Sequence, residues 1–317
     1  MTVTEHKILD GRVIAAEIRA GVASDVEALK AEGWPVHLVS ISVGDTDAAR
    51  LYVRNQQRAA EKVGMDFEAR DYPADIGAEE LLGIVHGLNT DRRVTGIIVQ
   101  RPTPEHLPER DIQRRVHPLK DVEGMHPSNI GDIVYNDLRM GPCTAVAAVE
   151  LLKATKMSLE GLEVTVIGHS AIVGKPIAFL LMAEGATVTV CHHQTRNLAI
   201  HSRSADAVFV AVGKPGLVTG EMLKPGAAVI DIGINQVEDR VVGDADFDSC
   251  AEVAGWITPV PGGVGPVTVA TLLRNAVSAA RLQRDRYLED FGDAETRRVK
   301  QSDQVAIRSR SLMRSAS

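Results

Sequence analysis

The chain has 317 residues, which is long enough for two domains with well-buried cores. Its hydrophobic fraction of 44% and charged fraction of 24% are those of an ordinary soluble globular protein. The net charge of −7 argues against a broad nucleic-acid-binding surface, and no apolar run is long enough to span a membrane.

The first half of the chain alternates strand-like segments with helix-like segments. The pattern predicts strands at 36–43, 66–71 and 95–100, and helices at 48–63 and 78–88. Such alternation predicts a parallel sheet that is covered by helices.

The second half repeats this alternation. It predicts strands at 163–167, 187–191, 207–212 and 228–232. Each of them ends near a glycine or a polar residue, which is where open α/β sheets place their ligands.

A last helix and a polar tail complete the predicted organisation. Residues 267–282 are rich in alanine and leucine and predict a helix. Residues 291–317 carry charges and serines with almost no periodic apolar face, which is typical of a flexible tail. A helix that docks onto a partner is the alternative interpretation of this tail.

A glycine-rich loop follows the first strand of the second half. Small residues at Gly168, Ser170 and Gly174 let the backbone approach a phosphate group, with helix N–H groups directed at it. The usual dinucleotide fingerprint has glycine at the position of Ser170, so a purely steric turn competes with this interpretation. The second glycine-rich segment, at 258–266, favours ligand binding, because a plain turn would not need it.

Four polar side chains in the first half are candidates for binding or chemistry. Tyr52 and Gln56 lie four residues apart in a predicted helix, so they share one face. Gln100 ends a strand, and Glu123 lies in a loop rich in glycine and proline. Structural roles compete with each: a packed ring for Tyr52, a strand-end cap for Gln100, and a solvated acid for Glu123.

Several separated segments are characteristic of one family; they are Tyr52 to Asn55, Gly96 to Pro102, Lys120 to Gly124, Pro142 to Thr144, Gly213 to Pro215, Asp231 to Asn235 and Pro261 to Pro266. With the Gly168 loop, they resemble the bifunctional methylenetetrahydrofolate dehydrogenase/cyclohydrolase (FolD) family. The resemblance implies an α/β fold, with an N-terminal αβ catalytic domain, a Rossmann-like NAD(P)-binding domain and a cleft between them. It implies a catalytic domain at 1–145 with 268–290, a cofactor domain at 146–267, and a homodimer formed through the cofactor domain.

The resemblance also implies roles for single residues. Tyr52 would stack against or orient the folate, Gln100 would hydrogen-bond near the one-carbon centre, and Glu123 would hold the amino-pyrimidinone edge of the pterin. Catalytic roles fall to these three and Gln56, and further folate contacts fall to Pro261, Gly262 and Gly263. The residues implied in cofactor binding are Gly168, His169, Ser170, Val173, Gly174, His193, Thr195, Gly213 and Ile234.

Two of these positions depart from the family pattern: Gln56 stands where lysine is usual, and Glu123 where aspartate is usual. Hydride transfer depends mainly on positioning, whereas methenyl hydrolysis needs activated water and a proton shuttle. Glutamine cannot exchange a proton in the required range. We therefore expect oxidation of 5,10-methylenetetrahydrofolate to 5,10-methenyltetrahydrofolate with weak or absent cyclohydrolase activity. The alternatives are a diverged methylene transferase or lyase in specialised metabolism, and a binding protein without turnover.

The cofactor is expected to be NADP, with NAD as the alternative. NADP-preferring family members often carry arginine after the loop glycine and a basic residue after the next strand, where this chain has His169 and Gln194. A fixed pair of cations for the 2′-phosphate is therefore missing, and the expected selectivity is modest.

No metal site is expected. His192 and His193 are adjacent, so their side chains should point in different directions, and no carboxylate or cysteine set is spaced to complete a site. The three cysteines are too scattered for a disulfide framework, and the N-terminal segment lacks the apolar core of a signal peptide. These features predict a cytoplasmic protein.

Overall fold

A three-stranded parallel sheet forms the centre of the N-terminal part. The computed structural model describes residues 7–44 and 47–291. The strand order is β2-β1-β3, and the first half is α/β as expected. Its elements are α1 (Gly11–Ala31), β1 (His37–Val43), α2 (Asp47–Lys62), β2 (Asp66–Tyr72), α3 (Ala78–Thr90), β3 (Gly96–Val99), α4 (Glu109–Arg115) and α5 (Pro127–Val134).

The central strand β1 is rich in apolar residues because it is buried on both faces of the sheet. Leu38 pairs with Phe67 on one side and with Gly96 on the other, and helices cover both faces. A Cβ on Gly96 would lie 2.4 Å from a methyl group of Val122. Glycine at this position therefore lets the loop that carries Glu123 lie directly against β3.

A five-stranded parallel sheet forms the second part, in the order β10-β7-β6-β4-β5. The chain leaves β4 for β5 on one side and returns to β6 on the other, so the crevice between β4 and β6 is a topological switch point. The elements are α6 (Cys143–Ala154), β4 (Glu163–Ile167), α7 (Gly174–Ala183), β5 (Thr187–Cys191), α8 (Leu198–Ser204), β6 (Ala207–Val210), β7 (Ala228–Asp231), β8 (Asn235–Val237), β9 (Arg240–Val242), α9 (Phe247–Val253), β10 (Trp256–Ile257) and α10 (Val264–Phe291).

The predicted strands at 207–212 and 228–232 are confirmed, but they end earlier, at Val210 and Asp231. The first ends there because the backbone N–H groups of the next turn are directed to a carboxylate, that of Asp244, instead of to a neighbouring strand.

The last helix, α10, is longer than the predicted 267–282. It continues to Phe291 because its polar end has partners: Arg284 pairs with Glu32, and the Tyr287 ring meets the Trp34 ring at 5.5 Å. The tail predicted at 291–317 overlaps this helix only at Phe291, and its other residues lie outside the described part of the chain.

Helix α1 had no counterpart among the predicted elements. Asp10 caps its first turn by accepting a hydrogen bond from the Arg12 backbone N–H. Its buried residues recur at helical spacing, including Ala15, Val22 and Val26, and the helix packs against α10. None of the described helices combines the length and hydrophobicity needed to cross a membrane. The domain limits inferred from the resemblance stay a prediction.

Candidate active site

Two adjoining cavities lie where residues of the first part meet loops of the second. The larger has a volume of about 470 Å³ and is lined by Arg12 and Tyr52 together with Ile234 and the segment 259–266. The smaller, of about 80 Å³, contains Gln56, Arg101 and Glu123. Tyr52, Thr144 and Thr268 line both, so the two cavities form one continuous cleft.

Gln56 and Gln100 form a buried amide pair below Tyr52. The Gln100 Nε2 group donates to Gln56 Oε1 at 2.7 Å and to Ser40 Oγ at 2.9 Å. Gln56 is only 2% exposed, and its side chain lies close enough to the Tyr52 hydroxyl to lower the pKa of that phenol. The strand end carrying Gln100 and the helix face carrying Gln56 are thus fixed to each other. The interpretation of Gln100 as a simple strand-end cap does not account for this contact.

Tyr52 presents its ring to the cleft while its hydroxyl reaches the buried amides. The residue is 44% exposed. Burial of the phenol, and then the nearby Glu123 carboxylate, raise the pKa of Tyr52 to about 12. The phenol therefore keeps its proton at neutral pH and can act as a hydrogen-bonding and stacking group.

Glu123 is a largely buried acid, because its side chain is 18% exposed. Its Oε2 accepts a hydrogen bond from the Val99 N–H at 3.3 Å, and Arg101 Nη2 lies 3.9 Å from Oε1. Burial raises the pKa of Glu123 to about 7, while Arg101 acts in the opposite direction. The carboxyl group can therefore be neutral or ionised near neutral pH, and the solvated-acid interpretation does not fit its burial.

The polar residues of the loop at 120–127 have two kinds of role: some stabilise the loop, and one lines the cavity. The Lys120 ammonium donates to the carbonyl oxygens of Leu88 and Asp91 at 2.9 and 2.7 Å. Asp121 accepts from the His126 N–H at 2.6 Å and from an amide of α5 at 2.8 Å. Of the two acids in this loop, only Glu123 lines the cleft.

Asn275 on α10 is a structural support that the sequence did not suggest. Its Nδ2 donates to the carbonyl oxygens of Val122 and Gly141 at 2.9 Å each, and Cys143 Sγ donates to the same Val122 oxygen at 3.4 Å. These contacts tie the Glu123 loop to the start of α6. The available signal was a buried amide on an otherwise apolar helix face, which requires partners.

The glycines of the Gly168 loop are required by packing within the protein. Gly168 has a φ of 117°, and a Cβ there would lie 2.3 Å from the Ala211 carbonyl oxygen. A Cβ on Gly174 would lie 2.0 Å from the Gly168 oxygen. Ser170 Oγ accepts from the Val173 N–H at 3.1 Å, so a side chain also holds the turn before α7. The loop is compact before any ligand binds.

Asp244 organises the loop after β6. Its carboxylate accepts from the backbone N–H groups of Val212, Gly213 and Lys214 at 2.6, 2.9 and 2.8 Å, and from the Asn235 amide at 2.9 Å. Sequence reasoning missed this residue, because its three backbone partners lie about 30 positions away and no local pattern marks them.

Three histidines gather at the ends of β4 and β5. The ring centroids of His169 and His192 are 4.7 Å apart, and one nitrogen of each of His169, His192 and His193 lies within 4.8 Å of the others. The argument that adjacent histidines point apart was therefore wrong. Parallel pairing of β4 with β5 brings the residue after Gly168 beside the turn at 192–195, which is closed by Thr195 Oγ1 accepting from the His192 N–H at 2.9 Å.

The segment 261–263 reaches the cleft against the start of α1. Gly262 has a φ of 114°, and the Gly11 N–H donates to its carbonyl oxygen at 2.9 Å. A Cβ on Gly11 would lie 1.8 Å from the Gly263 oxygen. Close backbone packing therefore places this loop beside Tyr52.

The predicted site residues fall into two groups. Tyr52, Gln56, Glu123, Val173, Ile234 and Pro261 to Gly263 line the cleft, and Gln100 joins it through Gln56. The others lie outside both cavities, on the loops after β4, β5 and β6; they are Gly168, His169, Ser170, Gly174, His193, Thr195 and Gly213.

Comparison with known proteins gives the same family for both parts. Residues 9–123 match the family model for the tetrahydrofolate dehydrogenase/cyclohydrolase catalytic domain, and residues 142–284 match that for its NAD(P)-binding domain. The chain is 60% identical to the bifunctional protein FolD 2 of Mesorhizobium japonicum, over 92% of this chain and 97% of the relative.

Two solved structures are also similar. The FolD dehydrogenase/cyclohydrolase of Campylobacter jejuni is 40% identical with a TM-score of 0.84, over 87% of this chain and 98% of that one. The Trypanosoma brucei enzyme, solved with NADP and an inhibitor, is 37% identical with a TM-score of 0.83, over 87% and 97% of the two chains. The chain therefore belongs to the tetrahydrofolate dehydrogenase/cyclohydrolase family.

Proposed function

We propose that this protein oxidises 5,10-methylenetetrahydrofolate to 5,10-methenyltetrahydrofolate by hydride transfer to NAD(P), and that it hydrolyses the product slowly. The observation that carries the proposal is the position of Tyr52, which lines both the cavity containing Glu123 and the cavity formed by the second part's loops. A pterin stacked on this ring would have its polar edge near Glu123 and its reacting carbon toward the loops.

Positioning is the main contribution of these residues to oxidation. Ionised Glu123 would accept paired hydrogen bonds from the amino-pyrimidinone edge, with Arg101 3.9 Å away to balance its charge. Tyr52 would stack on the pterin ring, and the buried Gln56–Gln100 pair below Tyr52 would fix how deep in the cleft the pterin lies. When bound, NAD(P) supplies the acceptor for the hydride, and no side chain has to remove a proton for this step.

Slow hydrolysis follows from the groups present. Among the described residues lining the small cavity, the ionisable side chains are those of Tyr52, Arg101, Glu123 and Cys143. Burial raises the pKa of Tyr52 to about 12 and that of Cys143 well above its ordinary value, so neither exchanges a proton readily near pH 7. Glu123 titrates in that range, but its carboxylate is committed to the pterin edge. Gln56 cannot replace a lysine as acid or base.

The test is to assay the two activities separately on purified protein. We expect NAD(P)H to form from methylenetetrahydrofolate, while added methenyltetrahydrofolate disappears little faster than in buffer. Lack of NAD(P)H with both nicotinamide cofactors would refute the oxidation. Enzyme-catalysed hydrolysis as fast as hydride transfer would refute the second half. A methylene transferase or lyase gains no support from the relatives, whose descriptions name a dehydrogenase and a cyclohydrolase.

NADP is the proposed cofactor, with modest selectivity over NAD. One support is the T. brucei relative, which was solved with NADP. The other is that the described side chains clustered after β4 and β5 are three histidines, with no acid in the group. Histidines in place of arginines offer weaker charge to a 2′-phosphate. Comparing kcat/KM for the two dinucleotides measures this preference, and strict dependence on NAD would contradict it.

A cytoplasmic homodimer formed through the cofactor part is also proposed. Strand β5 is at the edge of the five-stranded sheet, and Met182 on the neighbouring α7 is 56% exposed. Pairing of this edge with a second copy would cover both. Light scattering at micromolar concentration should give twice the mass of the chain, and a monomer would contradict the proposal.

A further inference from the structure

The three clustered histidines lie at the dinucleotide end of the structure, outside both cavities. His169 follows the loop glycine after β4, and His192 and His193 follow β5. The ring centroids of His169 and His193 are 6.3 Å apart, and those of His192 and His193 are 5.8 Å apart. The loops that follow two neighbouring strands therefore bring the three imidazole rings close together.

The distances between the ligand atoms are close to those of a metal site. In a tetrahedral zinc site with Zn–N bonds of about 2.0–2.1 Å, the ligand nitrogens are about 3.4 Å apart. Here the three nitrogens lie within 4.8 Å of one another. Closing the site needs movements on the order of 1 Å, which side-chain rotation can supply because His169 and His193 are exposed.

Existing hydrogen bonds limit how His192 can bind. Its Nδ1 accepts the Gln194 backbone N–H at 3.2 Å, so in the free protein the proton of a neutral ring is on Nε2. A metal at Nε2 would move this proton to Nδ1 and release the Gln194 N–H. Gln194 is exposed, so water can take over that bond at small cost.

We propose that His169, His192 and His193 bind one divalent first-row transition metal ion, such as Zn²⁺ or Co²⁺. Imidazole nitrogen favours this class of ion over Mg²⁺ and Ca²⁺, which prefer oxygen ligands. With three protein ligands, the fourth position of a tetrahedral site is open to solvent or a small ligand. The proposal does not rest on hydride transfer, but His169 and His193 are also assigned to the dinucleotide, so metal binding has to be measured without it.

Titration of the metal-stripped full-length protein with Co²⁺, in the absence of dinucleotide, tests the proposal. We expect one ion per chain and the visible absorption of tetrahedral Co²⁺. His193→Ala and His169→Ala should each weaken binding by more than about tenfold, since removing even a secondary partner of a ligand has effects of about that size. His86→Ala is the matched control, because His86 is an exposed histidine on α3, away from the cluster.

Thermal unfolding of every variant verifies that it is folded before it is titrated. Equal Co²⁺ affinity in wild type, His169→Ala and His193→Ala would overturn the proposal. A cluster that binds inorganic phosphate, with phosphate affinity lost in the two variants and no metal bound by wild type, would also overturn it and assign the cluster to anions.

Discussion

Two ends of this protein are built in opposite ways: the proposed folate end at Gln56, Gln100 and Glu123, and the proposed dinucleotide end on the loops after β4, β5 and β6. At the folate end, Gln56 and Gln100 are buried and hydrogen-bonded to each other, and Glu123 is mostly covered. At the dinucleotide end, His169 and His193 are exposed on loops whose shape depends on glycines and backbone hydrogen bonds. A substitution at the first end therefore changes the functional groups that line a rigid, buried site. A substitution at the second end changes which ligands an exposed surface can bind.

In the buried end, Gln56 is held in place by polar contacts. Gln56 Oε1 accepts a hydrogen bond from the Gln100 amide at 2.7 Å, and its side chain lies beside Tyr52. An amide at this position supplies polar contacts but no exchangeable proton near neutral pH. Binding and proton transfer are thereby separable at this position.

Removal of the Glu123 carboxylate is the strongest test of the folate end. Glu123→Ala should lower kcat/KM for methylenetetrahydrofolate by about 10²-fold or more, because the donors of the pterin edge would lose their partner. The control is Glu79→Ala, at an exposed acid on α3 that should leave kcat/KM unchanged. Similar kinetics in both variants would place the pterin elsewhere.

Loosening the loop after β6 tests the dinucleotide end. Asp244→Ala removes the acceptor of three backbone N–H groups, at Val212, Gly213 and Lys214. We expect KM for the dinucleotide to rise by about tenfold with a smaller change in kcat, since losing several hydrogen bonds costs at least 1–3 kcal/mol, about tenfold per 1.4 kcal/mol. The exposed Asp239→Ala serves as the control. An unchanged KM in Asp244→Ala would show that the loop does not contribute to binding.

A further effect is expected on stability as a function of pH. The folded-state pKa of Glu123 is raised to about 7 from 4.5, so folding favours the protonated acid. This contribution is fully present below about pH 4.5 and is lost as pH rises through about 7. Relative to wild type, Glu123→Gln should therefore gain roughly 1–3 kcal/mol in unfolding free energy between pH 5 and pH 8. The measurement is the free energy of unfolding by denaturant as a function of pH. Parallel profiles for wild type and Glu123→Gln would contradict the burial of the Glu123 carboxylate.

Local patterns were sufficient for much of the fold and part of the site. Alternating segments predicted both parallel sheets, and the four-residue spacing of Tyr52 and Gln56 placed them on one face. Asp244 and Asn275 could not be predicted, because their partners are about 30 and more than 130 positions away. The approach of His169 to the other histidines depends on β4 lying beside β5, which sequence periodicity does not specify.

If Gln56 limits hydrolysis while the rest of the site is intact, Gln56→Lys should change the ratio of the two activities. The variant should raise methenyltetrahydrofolate hydrolysis by about 10²-fold or more, the usual contribution of a general acid–base group. Hydride transfer in the same preparation should change much less. Hydrolysis that stays at the wild-type rate in a folded, oxidation-competent Gln56→Lys protein would show that Gln56 does not limit hydrolysis.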